Sequence, residues 1–332
     1  MKAIIPVAGA GTKLRPHTYT QPKALIPLAG KTILSIIVDQ LKEAGISEFI
    51  FIIGYLGDKI KDYVLEKYPG LDAHFVSQNE RQGIGHAILL TRDIVGDDDI
   101  FIVLGDTICE YDVADVLTRS TSVLGIRRVD DPRDFGVAEI GDDGFISRVV
   151  EKPQIPKSNM ALVGVYLIKE SSHLFDCLDT NIRNLVKSRG EFSITDAIEC
   201  MISKGAKFQS FKVQNWFDCG KKDTLLESNS TLLKKFGGLI AKEHHFDNTI
   251  IIPPVSIAQG CKIKNSIIGP NVTVGEKTNI SYSVIKDSII GSFADLSDIV
   301  LPTSLIGSDT EVKGESRSLN IGDNTEIDLG ES

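Results

Sequence analysis

Three five-residue runs constrain what this chain can become: Ala3-Ile4-Ile5-Pro6-Val7, Phe49-Ile50-Phe51-Ile52-Ile53 and Ile100-Phe101-Ile102-Val103-Leu104. They are too apolar to alternate between core and solvent. Strands of this kind are buried on both faces, which happens where helices cover a mainly parallel sheet. The segments between them fit that arrangement. Residues 34–44 place apolar side chains at helical spacing and end at Gly45, a C-cap signal. Residues 59–68 read as a polar-faced helix stopped by Pro69-Gly70, 74–77 as a short strand, and 85–92 as the start of another helix. Strand and helix alternate, so the expected fold is α/β and Rossmann-like, with ligands at the carboxyl ends of the strands.

Beyond residue 121 the pattern changes. Residues 122–128 and 145–151 read as strands, with Asp142-Asp143-Gly144 as a hairpin turn before the second. A strand over 161–168, helices over 171–187 and 195–203, a strand over 208–213 and a helix over 221–235 complete a first domain placed at 1–238. The last quarter differs again. Ile263, Ile268-Gly269, Val274-Gly275 and Ile280, then Ile285, Ile290-Gly291 and Leu296, put an aliphatic residue at roughly six-residue spacing. This is similar to the hexapeptide repeat of a left-handed parallel β-helix, in which each short strand sends one aliphatic side chain into a prism-shaped core. The repeats are placed at 247–313 and a polar tail at 314–332.

Composition narrows the function. The chain has 332 residues, with 42% hydrophobic and 24% charged, the balance of a soluble globular protein. Its net charge of −9 argues against a nucleic-acid partner, because phosphate backbones need a basic surface. An anionic substrate must therefore be met by a local cluster of cations. The five cysteines are scattered, with no C-x-x-C pair, as expected of reduced thiols in the cytoplasm. The chain starts directly on its first apolar run, without the character of a targeting segment. No apolar run is long enough to span a bilayer, so no membrane is expected as a partner.

The cation cluster lies in the opening stretch. After the first strand come Gly9-Ala10-Gly11, then Lys13, Arg15 and Lys23. Small residues let backbone N–H groups approach phosphate oxygens, and the cations neutralise them. Two familiar phosphate loops are excluded. Leu14 stands where a dinucleotide fingerprint needs its third glycine, and Leu25 where a P-loop ending in Gly30-Lys31-Thr32 needs its first. The stretch instead resembles G-x-G-T-R-L-x-P-x-T-x-x-x-P-K-x-L-x-P, the opening motif of the sugar-phosphate nucleotidyltransferases. It matches at Gly9, Gly11, Thr12, Leu14, Pro16, Thr18, Pro22, Lys23, Leu25 and Pro27. It departs at Lys13, where the family usually has arginine.

Further blocks follow in the family's order. Leu104-Gly105-Asp106 and Trp216-Phe217-Asp218-Cys219-Gly220 resemble its G-D and W-x-D-x-G motifs, which implies that Asp106 and Asp218 hold Mg²⁺. Taken alone, either aspartate would read as a turn or helix cap. The segment 78–88 resembles the base-recognition region. Gln78 suits a base edge through its amide, and Gly83 and Gly85 would let the base lie against backbone. Glutamine there is the pattern of members that use thymidine or uridine triphosphate, and the two bases stay open. Gly136, within Phe135–Glu139, and the pair Glu151-Lys152 resemble the sugar-phosphate blocks. The resemblance implies that Glu151 binds sugar hydroxyls and Lys152 the sugar phosphate. Gly164 and Tyr166 resemble a G-x-Y strand lining the sugar pocket, although Tyr166 reads equally well as core. Glu191 to Asp196 resembles E-x-x-I-T-D, with Thr195 read as the cap of the following helix.

The resemblance implies one reaction. A nucleoside triphosphate and a sugar 1-phosphate, dTTP or UTP with glucose 1-phosphate, give a nucleotide-sugar and pyrophosphate. Ala8, Gly9, Gly11, Thr12, Lys13, Gln78 and Gly83 would bind the nucleotide. By motif position, Lys13 and Lys23 would contact phosphate alongside Mg²⁺, with Asp106 and Asp218 completing the catalytic set. The alternatives are a purine-using relative, such as a mannose-1-phosphate guanylyltransferase, and a catalytically silent regulatory subunit of the same fold. Acyltransferases built on β-helices use a histidine, and the last histidine, His245, precedes the expected repeats. The β-helix is therefore read as an assembly or regulatory module of a homo-oligomer.

Overall fold

The computed structural model describes residues 1–242 and 245–315. The chain divides into two compact units, Met1–Leu232 and a second that begins at Leu233. The dividing point lies inside the helix Lys222–Phe236.

A nine-stranded mixed sheet forms the centre of the first unit. The apolar runs occupy its middle. Lys2–Pro6 pairs in parallel with Glu48–Ile53 on one side and Ile100–Val103 on the other, and Asp72–Ser77 extends the parallel part. Phe49, Phe51 and Phe101 are fully buried, as strands covered on both faces must be. The helix Ile33–Glu43 starts on a capping box, in which Thr32 accepts from the Ser35 amide and Ser35 returns a bond to the Thr32 amide.

The remaining strands gather around Met160–Ile168, whose own pairings are antiparallel, while Phe208–Lys212 pairs in parallel with Ser122–Arg128. One edge of that strand pairs first with Gly136–Ile140 and then with Ile100–Val103, while its other edge pairs with Ser122–Arg128. Gly164 sits where the first edge changes partner, and the register shifts between Leu162 and Tyr166. Its φ of +82° is one that side chains with a Cβ adopt at a cost.

Several expected elements differ in detail. The Asp142-Asp143-Gly144 turn joins Ile146–Glu151 to Gly136–Ile140, a strand that the sequence pattern did not separate from its motif block. Two further short strands, Thr107–Glu110 and Asn215–Asp218, pair antiparallel. The helix expected over 171–187 ends at Arg183, and Leu185 turns to φ +55°.

The second unit is a left-handed parallel β-helix whose strands, among the described residues, stack in three sheets of five, five and four. Stacked partners include Val255 with Val272 and Ile289 with Leu305. The aliphatic residues read as inward-facing, Ile263, Ile268, Val274, Ile280, Ile285, Ile290 and Leu296, are each at most 1% exposed. Asn248, Asn265 and Asp298 adopt positive φ at one row of turns, a conformation their short polar side chains tolerate. The strands begin before residue 247. Leu239–Ile240 pairs with Val255–Ile257, and His245–Asp247 with Lys262–Lys264, so the His245 backbone lies within the β-helix. The greater part of the tail, 316–332, lies outside the described residues. Among the described residues, no helix is long and apolar enough to cross a membrane.

Candidate active site

The central parallel strands end at two adjoining clefts. Val7 continues the first strand by donating to the Ile52 carbonyl at 2.8 Å, and residues 8–12 then line a cleft of about 390 Å³. Gly11 has φ +60°. A Cβ there would lie 2.8 Å from Thr18 Cγ2 and 3.1 Å from Lys23 Cβ, so only glycine fits without displacement. Thr18 Oγ1 donates to the Gly11 carbonyl at 2.8 Å and fixes the loop from beneath. Three short 3-10 turns follow, Thr12–Leu14, His17–Tyr19 and Lys23–Leu25. They carry Lys13 to a second cleft and Lys23 to the first. Arg15 lines neither cleft, and its guanidinium lies 5.0 Å from the centroid of the Tyr19 ring.

Gln78 follows the strand Asp72–Ser77 and closes one side of the first cleft. Its Nε2 donates to the Gly83 carbonyl at 3.0 Å and lies 3.3 Å from His86 Nδ1. Gly83 has φ +103°, and a Cβ would come within 2.5 Å of the Phe192 carbonyl oxygen. The segment 78–85 is thus pressed against residues 191–193.

Asp106 lines both clefts. Its Oδ2 accepts from Lys23 Nζ at 2.7 Å. Burial alone would raise the pKa of this carboxyl, but the Lys23 ammonium outweighs burial and holds it below the usual range. Asp218 stands on the strand paired with Thr107–Glu110, directly opposite Thr107. Its Oδ1 accepts from the Gly220 amide at 2.9 Å. Both aspartates therefore reach the second cleft from neighbouring chain segments. Two carboxylates meeting at one cleft are the hard oxygen donors that Mg²⁺ takes. Cys219 beside them is buried, and burial pushes its thiol up to about 12 against the pull of Lys23, which leaves it no nucleophile at neutral pH.

The second cleft, of about 450 Å³, gathers the remaining expected residues: Gly136, Glu151, Lys152, Gly164 and Tyr166. Glu151 Oε2 accepts from Thr195 Oγ1 at 2.6 Å, and Glu151 Oε1 lies 3.4 Å from Lys152 Nζ. A Cβ on Gly136 would crowd both Thr195 Oγ1 and Leu162 at 3.0 Å. Lys152 itself has φ +43°, backbone strain of the kind that collects at functional sites. Tyr166 is both a core residue and a lining residue of this cleft. It is 3% exposed within the core, yet it borders the cleft, and burial followed by the nearby Glu151 raises its hydroxyl pKa.

Contrary to the expectation from sequence, Thr195 does not cap the helix Ile194–Ser203. Ser193 is the N-cap, accepting from the Thr195 and Asp196 amides, and Thr195 instead bonds Glu151 inside the cleft. Sequence reasoning also passed over Arg81, Arg189 and Lys221, which line the clefts, and gave Glu191, which lines both, no role within its motif. Arg189-Gly190 directly precedes the E-x-x-I-T-D block, the signal that could have found it.

Another cluster of possible metal ligands, two carboxylates and an imidazole, lies elsewhere. Glu48, Asp72 and His74 bring donor atoms within 4.8 Å of one another. They sit at or near the amino ends of their strands, away from the clefts, and Lys2 Nζ already lies 3.0 Å from Glu48.

Comparison with known proteins defines the class. The nucleotidyl transferase family matches residues 2–235, and the chain belongs to it, as a sugar-phosphate nucleotidyltransferase. Among its relatives is the low-salt glycan biosynthesis nucleotidyltransferase Agl11 of Haloferax volcanii, 33% identical over 99% of this chain and 100% of that protein. A glucose-1-phosphate thymidylyltransferase of Streptomyces griseus is 32% identical over 94% of this chain and 93% of its own length. Among solved structures, a UDP-glucose pyrophosphorylase complexed with UDP-glucose superposes with a TM-score of 0.60 at 26% identity, covering 70% of this chain and 98% of that one.

Proposed function

We propose that the protein joins a pyrimidine nucleoside triphosphate, dTTP or UTP, to glucose 1-phosphate, releasing pyrophosphate. The observation that carries this reading is the pair of adjoining clefts sharing Asp106, one lined by the glycine loop and Gln78, the other by Glu151 and Lys152.

In this reading the glycine loop and Gln78 hold the nucleotide. Gln78 spends its amide N–H groups on Gly83 and His86, and among the described residues its Oε1 has no partner. A free acceptor suits the N3–H that thymine and uracil carry, whereas adenine has no ring N–H on its pairing edge. Ala8, Gly9, Gly11 and Thr12 present backbone to the triphosphate. Lys23 in the first cleft and Lys13 in the second, the two clefts meeting at Asp106, neutralise its oxygens. On the other side, Glu151 accepts from sugar hydroxyls, Lys152 meets the sugar phosphate, and Gly136 and Gly164 leave room for the ring beside Tyr166.

A sugar phosphate oxygen then attacks the α-phosphorus in line, and pyrophosphate departs. The attacking group is already an anion, so the protein supplies position and charge neutralisation rather than a covalent nucleophile. Mg²⁺ bound by Asp106 and Asp218 would neutralise phosphate oxygens and orient the leaving group. The Lys23 ammonium lies 2.7 Å from Asp106 Oδ2, which sets a cation beside the carboxylate that would hold Mg²⁺. Assembly into a homo-oligomer through the β-helix and a place in the cytoplasm, where triphosphates are made, complete the reading.

Pyrophosphate release with Mg²⁺ tests it, offering glucose 1-phosphate with dTTP, UTP, GTP, ATP and CTP in separate assays, then mannose, galactose and glucosamine phosphates. Release with dTTP or UTP alone is expected. Release confined to GTP or ATP would overturn the pyrimidine assignment. Silence throughout, with nucleotide still bound, would make the chain a regulatory subunit.

A further inference from the structure

Residues 184–193 join the helices Ser171–Arg183 and Ile194–Ser203 and supply lining residues to the two clefts. At their centre is a tight turn. The Ser188 amide donates to the Glu191 carbonyl at 3.0 Å, and the Glu191 amide to the Ser188 carbonyl at 3.1 Å. Both central residues have positive φ, +49° at Arg189 and +85° at Gly190. Glycine accepts that conformation freely and arginine does not, so the turn must be held from outside.

It is held on three sides. Toward the nucleotide cleft, the Phe192 amide donates to the Gln82 carbonyl and the Gly85 amide to the Phe192 carbonyl, each at 2.8 Å. Toward the sugar-phosphate cleft, Arg189 Nη2 donates to the Arg133 carbonyl at 3.2 Å and reaches the Lys152 carbonyl at 3.5 Å. From below, Ser188 Oγ donates to Asp196 Oδ1 at 3.0 Å. Asp196 lies on the helix that Ser193 caps, and its other oxygen is buried with no partner among the described residues. Its single side-chain bond is thus directed at the turn. The turn carries Arg189 into the second cleft and Glu191 to the junction of both.

We propose that Asp196 is a positioning residue for nucleotidyl transfer. Through Ser188 it fixes the 188–191 turn and so presents Arg189 to the sugar phosphate beside Lys152. This rests on the functional reading above. Asp196 touches no substrate. Its effect passes through one hydrogen bond and falls on the sugar phosphate.

The test is steady-state kinetics on the full chain, varying glucose 1-phosphate and the triphosphate separately. Ser188→Ala and Asp196→Ala are each expected to raise the KM for sugar phosphate about tenfold, the effect of losing one aligned hydrogen bond to a charged group. The kcat and the triphosphate KM stay within about threefold. The double variant is no worse than either single one, because both remove the same link. Asp196→Asn keeps an acceptor for Ser188 and retains the low KM. An unchanged KM in Ser188→Ala, additive losses in the double variant, or an Asp196→Asn variant as impaired as Asp196→Ala would each overturn the proposal. Amide hydrogen exchange of the substrate-free protein reads the link without any turnover. Exchange at 188–191 is expected to quicken in Ser188→Ala, and unchanged exchange overturns the proposal. Wild-type protein that releases no pyrophosphate would sink the functional reading, while the exchange comparison still decides the latch.

Discussion

Asp106 offers two oxygens to a cation, and Lys23 already takes one of them at 2.7 Å. The pair has a pH signature. The folded carboxyl titrates below its unfolded value of about 3.9. Its contribution to stability is therefore complete above that value and is lost as pH falls through the folded pKa. Lys23→Met removes the charged partner and leaves burial of the carboxylate opposed only by hydrogen bonds such as that from the Thr107 hydroxyl. The variant should melt below the wild type at pH 7, and the gap should narrow as pH is lowered through 4. Melting curves at several pH values would show this, and a gap constant with pH would mean that the pair contributes no linkage. Lys13 poses a different question. A lysine gives one compact charge where the family's usual arginine gives a planar fork. Lys13→Arg should keep kcat and lower the KM for the triphosphate by about threefold, on the order of 0.6 kcal/mol. Identical kinetics would show that fork geometry is irrelevant at this position.

Among the elements, the strand Met160–Ile168 does most to shape the second cleft. Its edge changes partner at Gly164, whose carbonyl accepts from the Leu104 amide at 3.0 Å. A Cβ there would meet Leu104 Cβ, Cγ and Cδ1 at 2.7–3.2 Å in a backbone conformation that already disfavours one. Gly164→Ala should destabilise the protein by about 1–3 kcal/mol and depress activity, because Leu104 leads directly into Asp106. Denaturant unfolding and pyrophosphate release measure the two effects, and a variant of wild-type stability would remove the steric argument. The same strand marks how far sequence pattern reaches. Its predominantly apolar run was legible over 161–168, as were the apolar runs within Lys2–Pro6, Glu48–Ile53 and Ile100–Val103. Strands such as Thr107–Glu110 and Asn215–Asp218 were not legible. They are four residues long, mix polar and apolar side chains, and form only because the chain returns to pair with itself a hundred residues later. The site was legible where a motif is continuous, as in 9–27. It was not legible at Thr195, whose role comes from Glu151 on a distant strand rather than from its own helix.

At the scale of the whole molecule, two separate apolar cores make two units with separable fates. Ile102, Leu124, Tyr166 and Phe175 belong to the first core, and Ile263, Ile280, Ile285 and Leu296 to that of the β-helix. Leu296 is fully buried and stacks between Ile280 and Val312 of the neighbouring coils. Leu296→Ala leaves a cavity on the prism axis that the flanking coils cannot fill without breaking their own register. Its cost should be about 2–5 kcal/mol, the range for a buried leucine that cannot be repacked. That loss falls on the second unit, whereas every residue given to the clefts lies within Met1–Leu232. Calorimetry should therefore show a transition displaced to lower temperature, while initial rates of pyrophosphate release at 25 °C, at protein concentrations that preserve assembly, stay within about twofold of wild type. If the β-helix is the assembly module, light scattering on the same variant should show the mass falling toward one chain as the displaced transition is crossed. A variant that loses catalysis with its oligomeric mass intact would mean instead that the β-helix supports the clefts directly, and its role would shift from assembly to control of the site.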